Sequence, residues 1–137
     1  MRLFFLLIAG LALGSCRTAT PPIAPLVGTS WTLESVIDAG IPVSDVPLDE
    51  LVFDAEGRGV RVSTCNVCNG LYVVGDRTLE VSQLACTRRA CEPGRLELDR
   101  YVSGRSRWAI ESGRLILTVQ DGLNGINAVL TFRRAGA

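Results

Sequence analysis

The sequence predicts one α+β domain, mostly antiparallel β, built as a curled sheet or small barrel-like fold with one helix. Three observations lead to this class. Short segments that alternate apolar and polar residues recur along the chain, separated by clusters of turn-forming residues. Two pairs of these segments have the spacing of β-hairpins. One further segment has helical spacing, and short strands spaced by turns are typical of barrels and sandwiches.

The first predicted strands lie in the N-terminal half of the domain. Residues 30–38 alternate loosely, with Trp31 and Leu33 on one face. Residues 51–53 form a short apolar run that ends in a turn cluster, and residues 60–62 alternate again. Alternation with a period of two is the pattern of a half-buried strand, so each segment is predicted as β.

Two hairpins are predicted further along the chain. Residues 71–74 and 78–82 flank a Gly-Asp-Arg turn at 75–77. Residues 114–120 and 128–132 flank a loop with two turn signals, Asp-Gly and Asn-Gly. Such dipeptides between alternating segments are strong hairpin signals.

Residues 93–102 interrupt the strand pattern. The segment opens with a proline, which suits the first turn of a helix. Leu98, Tyr101 and Val102 then fall on one helical face, and Gly104 is placed to end the helix. The sequence therefore predicts one helix between the two hairpins.

The composition excludes several classes of function. The 137 residues suffice for one domain with its own core. Fourteen basic residues, all arginine, balance fourteen acidic ones, so a nucleic-acid binder is not expected. The chain has no histidine, which rules out Ser-His-Asp and Cys-His catalysis, and no lysine for a Schiff base. We expect a protein without enzymatic activity and without a cofactor.

Residues 1–15 are predicted to be a signal peptide. One arginine precedes an apolar run at 3–13 that is too short to span a bilayer but has the length of a signal. The following Leu-Gly-Ser-Cys at 13–16 resembles a bacterial lipobox, in which Cys16 is acylated and anchors the protein to the membrane. A plain secretory signal with an incidental cysteine is the alternative. Arg17 is not the aspartate that often retains lipoproteins in the inner membrane, which suggests the outer membrane, with the domain facing the periplasm.

Residues 16–25 are expected to be the lipid anchor and a tether, and residues 26–134 the domain. Three prolines in the tether favour an extended, semi-rigid spacer. Loss of residues 1–15 removes one arginine and leaves a net charge of about −1. Acidic residues dominate positions 18–57 and arginines dominate the rest, a polarity that either guides a partner or reflects scattered solvated faces.

Four cysteines remain in the domain, in C-x2-C and C-x4-C pairs: Cys65, Cys68, Cys86 and Cys91. Three interpretations compete: two disulfides, a zinc site, or redox chemistry. The export signal favours disulfides, because secreted proteins meet an oxidising compartment. Four cysteines allow three pairings. If Gly75 and Asp76 form a tight turn, the hairpin register places Cys65 opposite Cys86.

Several stretches of the domain resemble the META domain, the fold of HslJ-type heat-shock lipoproteins. Residues 26–36 are similar to its opening L-x-G-T-x-W-x-L, and Cys65-Asn66 with Gly70-x-Tyr72 is similar to its central G-C-N-x-x-x-G-x-Y. Residues 85–91 (ACTRRAC) are similar to its A-S-T-R-M-A-C. The closing segments 115–117 and 130–132 also fit the pattern. The resemblance covers about residues 26–134. Thr64 replaces a usual glycine, and Cys68 and Cys86 are additions to the pattern. The resemblance therefore implies a Cys65–Cys91 bridge and leaves Cys68–Cys86 as the second.

The resemblance implies a non-enzymatic envelope lipoprotein that acts in stress tolerance or outer-membrane maintenance. Members of the family are linked to heat stress and, for the HslJ type, to novobiocin resistance, with no established catalytic residues or ligand. Two alternatives stay open: a carrier of a small apolar ligand, and a periplasmic module that binds or inhibits an envelope protein. Trp31 and Trp108 are candidates for a ligand cavity or for the core. The Asp-Ala-Glu-Gly cluster at 54–57 is a fragment of a calcium loop, more simply a solvated turn, and no metal site is expected.

Overall fold

The computed structural model describes residues 25–120 and 125–136. The predicted signal peptide at 1–15, Cys16 and all of the tether except Pro25 lie outside the described residues. Within the described part of the chain, no helix has the length and apolar character needed to cross a membrane.

The described residues form ten strands and one short helix. In chain order these are β1 (Ser30–Asp38), β2 (Ile41–Pro42), β3 (Glu50–Phe53), β4 (Gly59–Ser63), β5 (Val67–Val74), β6 (Thr78–Val81), β7 (Ala85–Cys86), α1 (Leu98–Val102), β8 (Gly104–Glu111), β9 (Arg114–Val119) and β10 (Ala128–Arg134).

Eight of these strands close into an antiparallel barrel. Around the ring they follow the order β1, β3, β4, β5, β6, β8, β9 and β10, and β10 pairs back to β1. The two short strands pair onto the ring, β2 with the end of β1 and β7 with the start of β5. The predicted mostly antiparallel, barrel-like fold with one helix is confirmed. Closure leaves the ring without a free edge strand.

The alternating strand directions place the connections at two opposite ends of the barrel. We call one of them the stapled end, because both disulfide bridges lie there. It carries the β4–β5 turn at 64–66 and the long connection at 82–103. The opposite end carries the turns at 54–58 and 76–77 and the residues at 25–29 that lead into β1.

Side chains fill the interior of the barrel. Every second residue of β9 is buried, as expected for a strand with one face on the core. Trp31, Phe53 and Phe132 are fully buried, and the ring of Phe53 meets that of Tyr72 edge-on at 4.9 Å between centroids. A barrel of eight strands is just wide enough for such a packed core.

A β-bulge lets strand β1 face the core over most of its length. The register with β10 shifts between Leu33 and Ser35, so Glu34 has no partner on β10. Leu33 and Val36 are consequently both buried although they lie three positions apart. Strict alternation would turn Val36 to solvent, so the bulge corrects the phase of the strand.

The β5–β6 hairpin forms where the sequence predicts it, but with a different register. Tyr72 pairs with Val81, which centres the turn on Asp76 and Arg77. The amide of Gly75 donates to the carbonyl of Thr78 at 2.7 Å, so Gly75 belongs to the last pair before the turn and not to the turn itself.

The predicted position of Cys65 opposite Cys86 is therefore wrong. The turn lies one residue later than assumed, and the pairing offset changes by one more residue between β6 and β7. Cys86 consequently lies opposite Cys68. Leu84 sits in the irregular stretch between these strands, against Gly70, where a β-carbon would meet its side chain.

Helix α1 begins later than predicted. Pro93 and Gly94 form a turn, because Gly94 has φ of +78° and the amide of Arg95 donates to the carbonyl of Glu92. The helix starts at Leu98, and its buried side chains, Leu98 and Val102, pack against the barrel core. The predicted apolar face is present, but only over one turn and a half.

The sequence pattern does not predict strand β8. Its first inward positions are Gly104 and Ser106, which give no apolar signal, while arginines occupy the positions between and after them. Pairing with β6 on one side and β9 on the other determines this strand. Tertiary context here overrides a weak local pattern.

Candidate functional site

Two disulfide bridges cross-link the stapled end. Cys65–Cys91 joins the β4–β5 turn to the segment after β7, with 5.9 Å between the Cα atoms. Cys68–Cys86 joins β5 to β7 at directly paired positions. These are the two pairings that the family resemblance implied. They cross-link residues 85–94, which we call the stapled loop, through Cys86 and Cys91.

The side chain of Asn66 is hydrogen-bonded to the stapled loop. Its Oδ1 accepts hydrogen bonds from the amide of Arg89 at 2.7 Å and from the hydroxyl of Thr87 at 3.0 Å. Its Nδ2 donates to the carbonyl of Arg89 at 3.2 Å. Thr87 also exchanges bonds with Val67: the Thr87 amide donates to the Val67 carbonyl, and the Val67 amide donates to the Thr87 hydroxyl. The backbone is thus fixed on both sides of Arg88.

The side chains of the stapled loop point to solvent. All ten residues from 85 to 94 are exposed. Arg88 and Arg89 make no ion pair with any residue that the structure describes. An ordered backbone therefore presents two uncompensated cations, an arrangement suited to an acidic partner surface.

Two clefts lie beside the stapled loop. One has a volume of about 630 Å³ and lies between residues 43–47 and the segment 92–101. The other, of about 540 Å³, lies between that segment and the two bridges. Glu92, Arg95 and Glu97 line both clefts together with Leu96, so both linings mix charged and apolar side chains.

A partly buried ion pair anchors the segment after the stapled loop, with the Arg95 side chain 31% exposed. Arg95 Nη2 contacts Asp49 Oδ1 at 2.6 Å, and Asp49 is only 2% exposed. Burial raises the pKa of the Asp49 carboxyl and outweighs the opposing effect of the Arg95 guanidinium. Asp49 Oδ2 and Arg95 Nε find no hydrogen-bond partner among the described residues. The pair supports the structure at a cost in desolvation, as buried ion pairs generally do.

Tyr101 faces the first cleft from helix α1. Its hydroxyl donates to Asp38 Oδ2 at 2.8 Å. Burial, followed by this hydrogen bond and the carboxylate charge, raises the pKa of Tyr101 to about 12. The phenol therefore stays protonated at neutral pH and is a poor candidate for acid–base catalysis.

The stapled end contains one group of residues with metal-ligand chemistry. The sulfurs of Cys68 and Cys86 and a carboxylate oxygen of Asp99 lie within 4.8 Å of one another. Both sulfurs are already bonded to each other, so no thiolate is available to zinc. The group as folded offers a metal a single carboxylate.

The predicted site residues fall in different places. Trp31 belongs to the core, where its Nε1 donates to the Thr29 hydroxyl at 2.7 Å. Trp108 lines a surface cleft of about 530 Å³ and donates to the carbonyl of Gly75. Asp54, considered as part of a calcium loop, accepts backbone hydrogen bonds within its own turn. Cys16 lies outside the described residues.

Sequence reasoning missed two parts of the site. The Asp49–Arg95 pair joins positions 46 residues apart, with no periodic signal to connect them. The bonds of Asn66 to Arg89 span 23 residues, a separation that the local sequence pattern does not reveal. The exposed arginines could have been found from the sequence, because residues 85–91 contain two adjacent arginines between two cysteines.

The chain was compared with known proteins. The META domain family model matches residues 24–135. No curated protein matches the chain significantly. An NMR structure of a protein from Burkholderia xenovorans is 24% identical, with a TM-score of 0.63, over 94% of this chain and all of that one. A second NMR structure is 27% identical, with a TM-score of 0.60, over 80% of this chain and 92% of that one. The family match covers most of the sequence, and the chain belongs to the META domain family.

Proposed function

We propose that this protein is a non-enzymatic, lipid-anchored component of the bacterial cell envelope that binds a partner protein through its stapled loop. The setting is stress tolerance or outer-membrane maintenance, as the resemblance to HslJ-type lipoproteins implies. The two disulfides support an oxidising compartment such as the periplasm. The lipobox-like segment at 13–16 supports the anchor at Cys16.

The observation that carries the proposal is the combination of order and exposure in the stapled loop. Two bridges and the hydrogen bonds of Asn66 fix its backbone, while its side chains remain in solvent. A loop that is ordered before binding loses little conformational entropy in a complex, which favours affinity. Compact domains commonly carry their binding residues on loops held by a rigid scaffold.

Exposed apolar side chains extend this surface along β5. Leu71 and Val73 are 65% and 71% exposed, and Val67, on the same outer face, is 41% exposed. Val67 is hydrogen-bonded to Thr87, so the apolar row runs directly into the stapled loop. Apolar surface beside cationic side chains is a common composition for a protein-binding face.

The topology also suits a membrane-anchored binder. Residues 25–29 enter the barrel at the end opposite the stapled loop. An anchor at Cys16 would therefore join the domain at the end away from the stapled loop, which leaves that loop accessible to proteins of the periplasm.

The interior of the barrel favours this function over the carrier. Trp31, Phe53 and Phe132 occupy the space that an apolar ligand would need. Two carboxylates of this region are engaged in ion pairs, Asp49 with Arg95 and Glu97 with Arg100. Binding by the surface is the function that these contacts support best.

Site-specific crosslinking in living cells tests the binding surface. A photoreactive residue at Arg89 should capture one partner protein reproducibly. The matched control is the same residue at Asp76, which is also exposed but lies in the turn at the opposite end. Capture of the same proteins from both positions, or none from Arg89, would contradict the proposal.

The anchor has its own test. Cells grown with a labelled fatty acid should incorporate the label into this protein, and the Cys16→Ser variant should lose it completely. Retention of the label in that variant would refute acylation at Cys16. The four domain cysteines are bridged in the structure and provide no free thiol for a second acyl chain.

A further inference from the structure

Arg88 lies at the centre of the stapled loop and is not itself bonded to the rest of the domain that the structure describes. No hydrogen bond or ion pair joins it to any described residue. Its neighbours are fixed: Thr87 through Val67 and Asn66, and Arg89 through both its amide and its carbonyl. The molecule therefore presents the Arg88 side chain, next to that of Arg89, from an immobilised backbone.

The backbone around Arg88 has no regular secondary structure. Residues 87–92 form neither a helix nor a turn, and none of them has a positive φ. A disulfide lies two residues before Arg88, at Cys86, and another three residues after it, at Cys91. The segment is thus irregular, exposed and cross-linked on both sides.

Asn66 holds the atoms that a protease would release. Hydrolysis of the Arg88–Arg89 peptide bond frees the amide nitrogen of Arg89 as the leaving amine. That nitrogen donates to Asn66 Oδ1 at 2.7 Å, and the Arg89 carbonyl accepts from Asn66 Nδ2 at 3.2 Å. Cys91, two residues further on, is tied to Cys65. After cleavage the new amino terminus would stay where it was.

We propose that residues 86–91 are an inhibitory loop for a serine protease that cleaves after arginine, with Arg88 in the specificity pocket. This inference rests on the proposed protein-binding function and names the class of partner. An aspartate at the base of the pocket of trypsin-like enzymes complements an arginine side chain. Pre-organised inhibitor loops of this kind form some of the tightest protein complexes known.

The chemistry explains inhibition in place of digestion. The protease serine Oγ attacks the Arg88 carbonyl carbon, its proton passes to the protease histidine, and the C–N bond to Arg89 breaks as the histidine protonates the amine. With an ordinary substrate, the amine product now diffuses away, and water hydrolyses the acyl-enzyme. Here the amine remains beside the acyl-enzyme, held by Asn66 and the Cys65–Cys91 bridge. It attacks the ester and restores the peptide bond faster than water does, because its effective concentration is high.

Trypsin is the probe that tests this proposal. The full chain, purified in mild detergent with both bridges intact, is mixed with trypsin and a chromogenic arginine amide. We expect inhibition that saturates at one chain per enzyme. Chymotrypsin, which prefers aromatic residues, should be unaffected at the same concentration.

Substitutions at the two arginines give a matched pair. Arg88→Ala should weaken trypsin inhibition at least 100-fold, whereas Arg88→Lys should keep it within 10-fold. Arg89→Ala changes an equally exposed arginine next door and should also keep it within 10-fold. Arg88→Phe should transfer inhibition from trypsin to chymotrypsin. Mass mapping of the bridges in each variant establishes that the loop is intact.

Asn66→Ala tests the positioning role separately from folding. This variant should inhibit trypsin at first and then lose inhibition as the Arg88–Arg89 bond is hydrolysed, at least 10-fold faster than in the original chain. A purely structural role would lower affinity without increasing cleavage at that bond.

Three results would overturn the proposal: rapid cleavage of the original chain without inhibition, no effect on trypsin, or equal losses for Arg88→Ala and Arg89→Ala. Its failure can be distinguished from failure of the proposed function. If trypsin is not inhibited but the crosslinker at Arg89 still captures a partner, the stapled loop binds proteins and only the protease assignment is wrong.

Discussion

Deleting the outer disulfide, Cys65–Cys91, tests how the stapled loop is stabilised. Alone, this bridge closes 26 residues and would stabilise the fold by about 3.5 kcal/mol, and Cys68–Cys86, which closes 18, by about 3.2 kcal/mol. The second bridge lies inside the loop of the first. Once it has formed, the outer bridge closes a circuit of only about nine residues, worth about 2.6 kcal/mol. The expected cost of Cys65→Ala with Cys91→Ala is this smaller value.

The inner bridge should cost more to remove, although it closes the shorter loop. In the presence of the outer bridge its entropic contribution is about 2.3 kcal/mol by the same reasoning. Cys68 is buried in the core, however, so Cys68→Ala also removes a packed sulfur, which adds about 1 kcal/mol. The total of about 3 kcal/mol reverses the order that loop length alone predicts.

Urea unfolding of the variants in a Cys16→Ser background measures both free energies. The slope of the free energy against urea should rise when a bridge is lost, because the unfolded chain exposes more surface. Reduction of the bridged chain provides the control and should cost about 6 kcal/mol. The variant without the four domain cysteines should lose about 7 kcal/mol, because it also lacks the buried Cys68 sulfur. A cost below about 1 kcal/mol for the outer pair would refute the entropic reasoning. Equal costs for the two pairs would refute the contribution of the buried sulfur.

Two further substitutions test the interior. Arg95→Ala should cost about 3 kcal/mol at neutral pH, since it leaves Asp49 charged and buried without its partner. Burial raises the pKa of Asp49 in the folded state, so the charged Asp49 lowers the free energy of unfolding as pH rises through its titration range, and this effect disappears as pH falls. The cost of Arg95→Ala should therefore shrink in acid. It should lose its pH dependence when Asp49→Asn is added. Trp31→Ala should cost about 3–5 kcal/mol in urea unfolding, because the ring is fully buried, and a cost below about 1 kcal/mol would contradict its place in the core.

The sequence predicts those strands whose own side chains alternate. Strand β1 forms at the predicted residues, and β9 and β10 form the predicted hairpin. Strand β8 is not predicted, because its inward positions begin with Gly104 and Ser106, which are not large apolar residues. The predicted helix is shortened because Gly94 adopts a left-handed turn. The local sequence pattern therefore predicts a strand where its inward residues are apolar. It fails to predict a strand that is formed mainly by pairing with its neighbours in the sheet.

The site was predictable only in its parts. The cysteines and Asn66 are visible in the sequence, and the family resemblance implied their pairing. Their spatial arrangement depends on a register that shifts by small irregularities, one at the β5–β6 turn and one before β7. The predicted register is wrong by three residues and pairs Cys86 with Cys65 in place of Cys68, so pattern alone could not place Thr87 and Arg89 against Asn66.

The arrangement of the domain argues that the barrel is a scaffold and the stapled loop its working part. A closed ring without free edges has no ring strand to which a partner could add a strand of its own. The stapled loop, by contrast, contains none of the buried core and yet receives two disulfides and the hydrogen bonds of Asn66. Exposed loops that serve only as connections have no need of such support, since loops are normally the most mobile parts of a fold. The concentration of cross-links around Arg88 is therefore best explained by a requirement that this backbone keep its shape when a partner binds it.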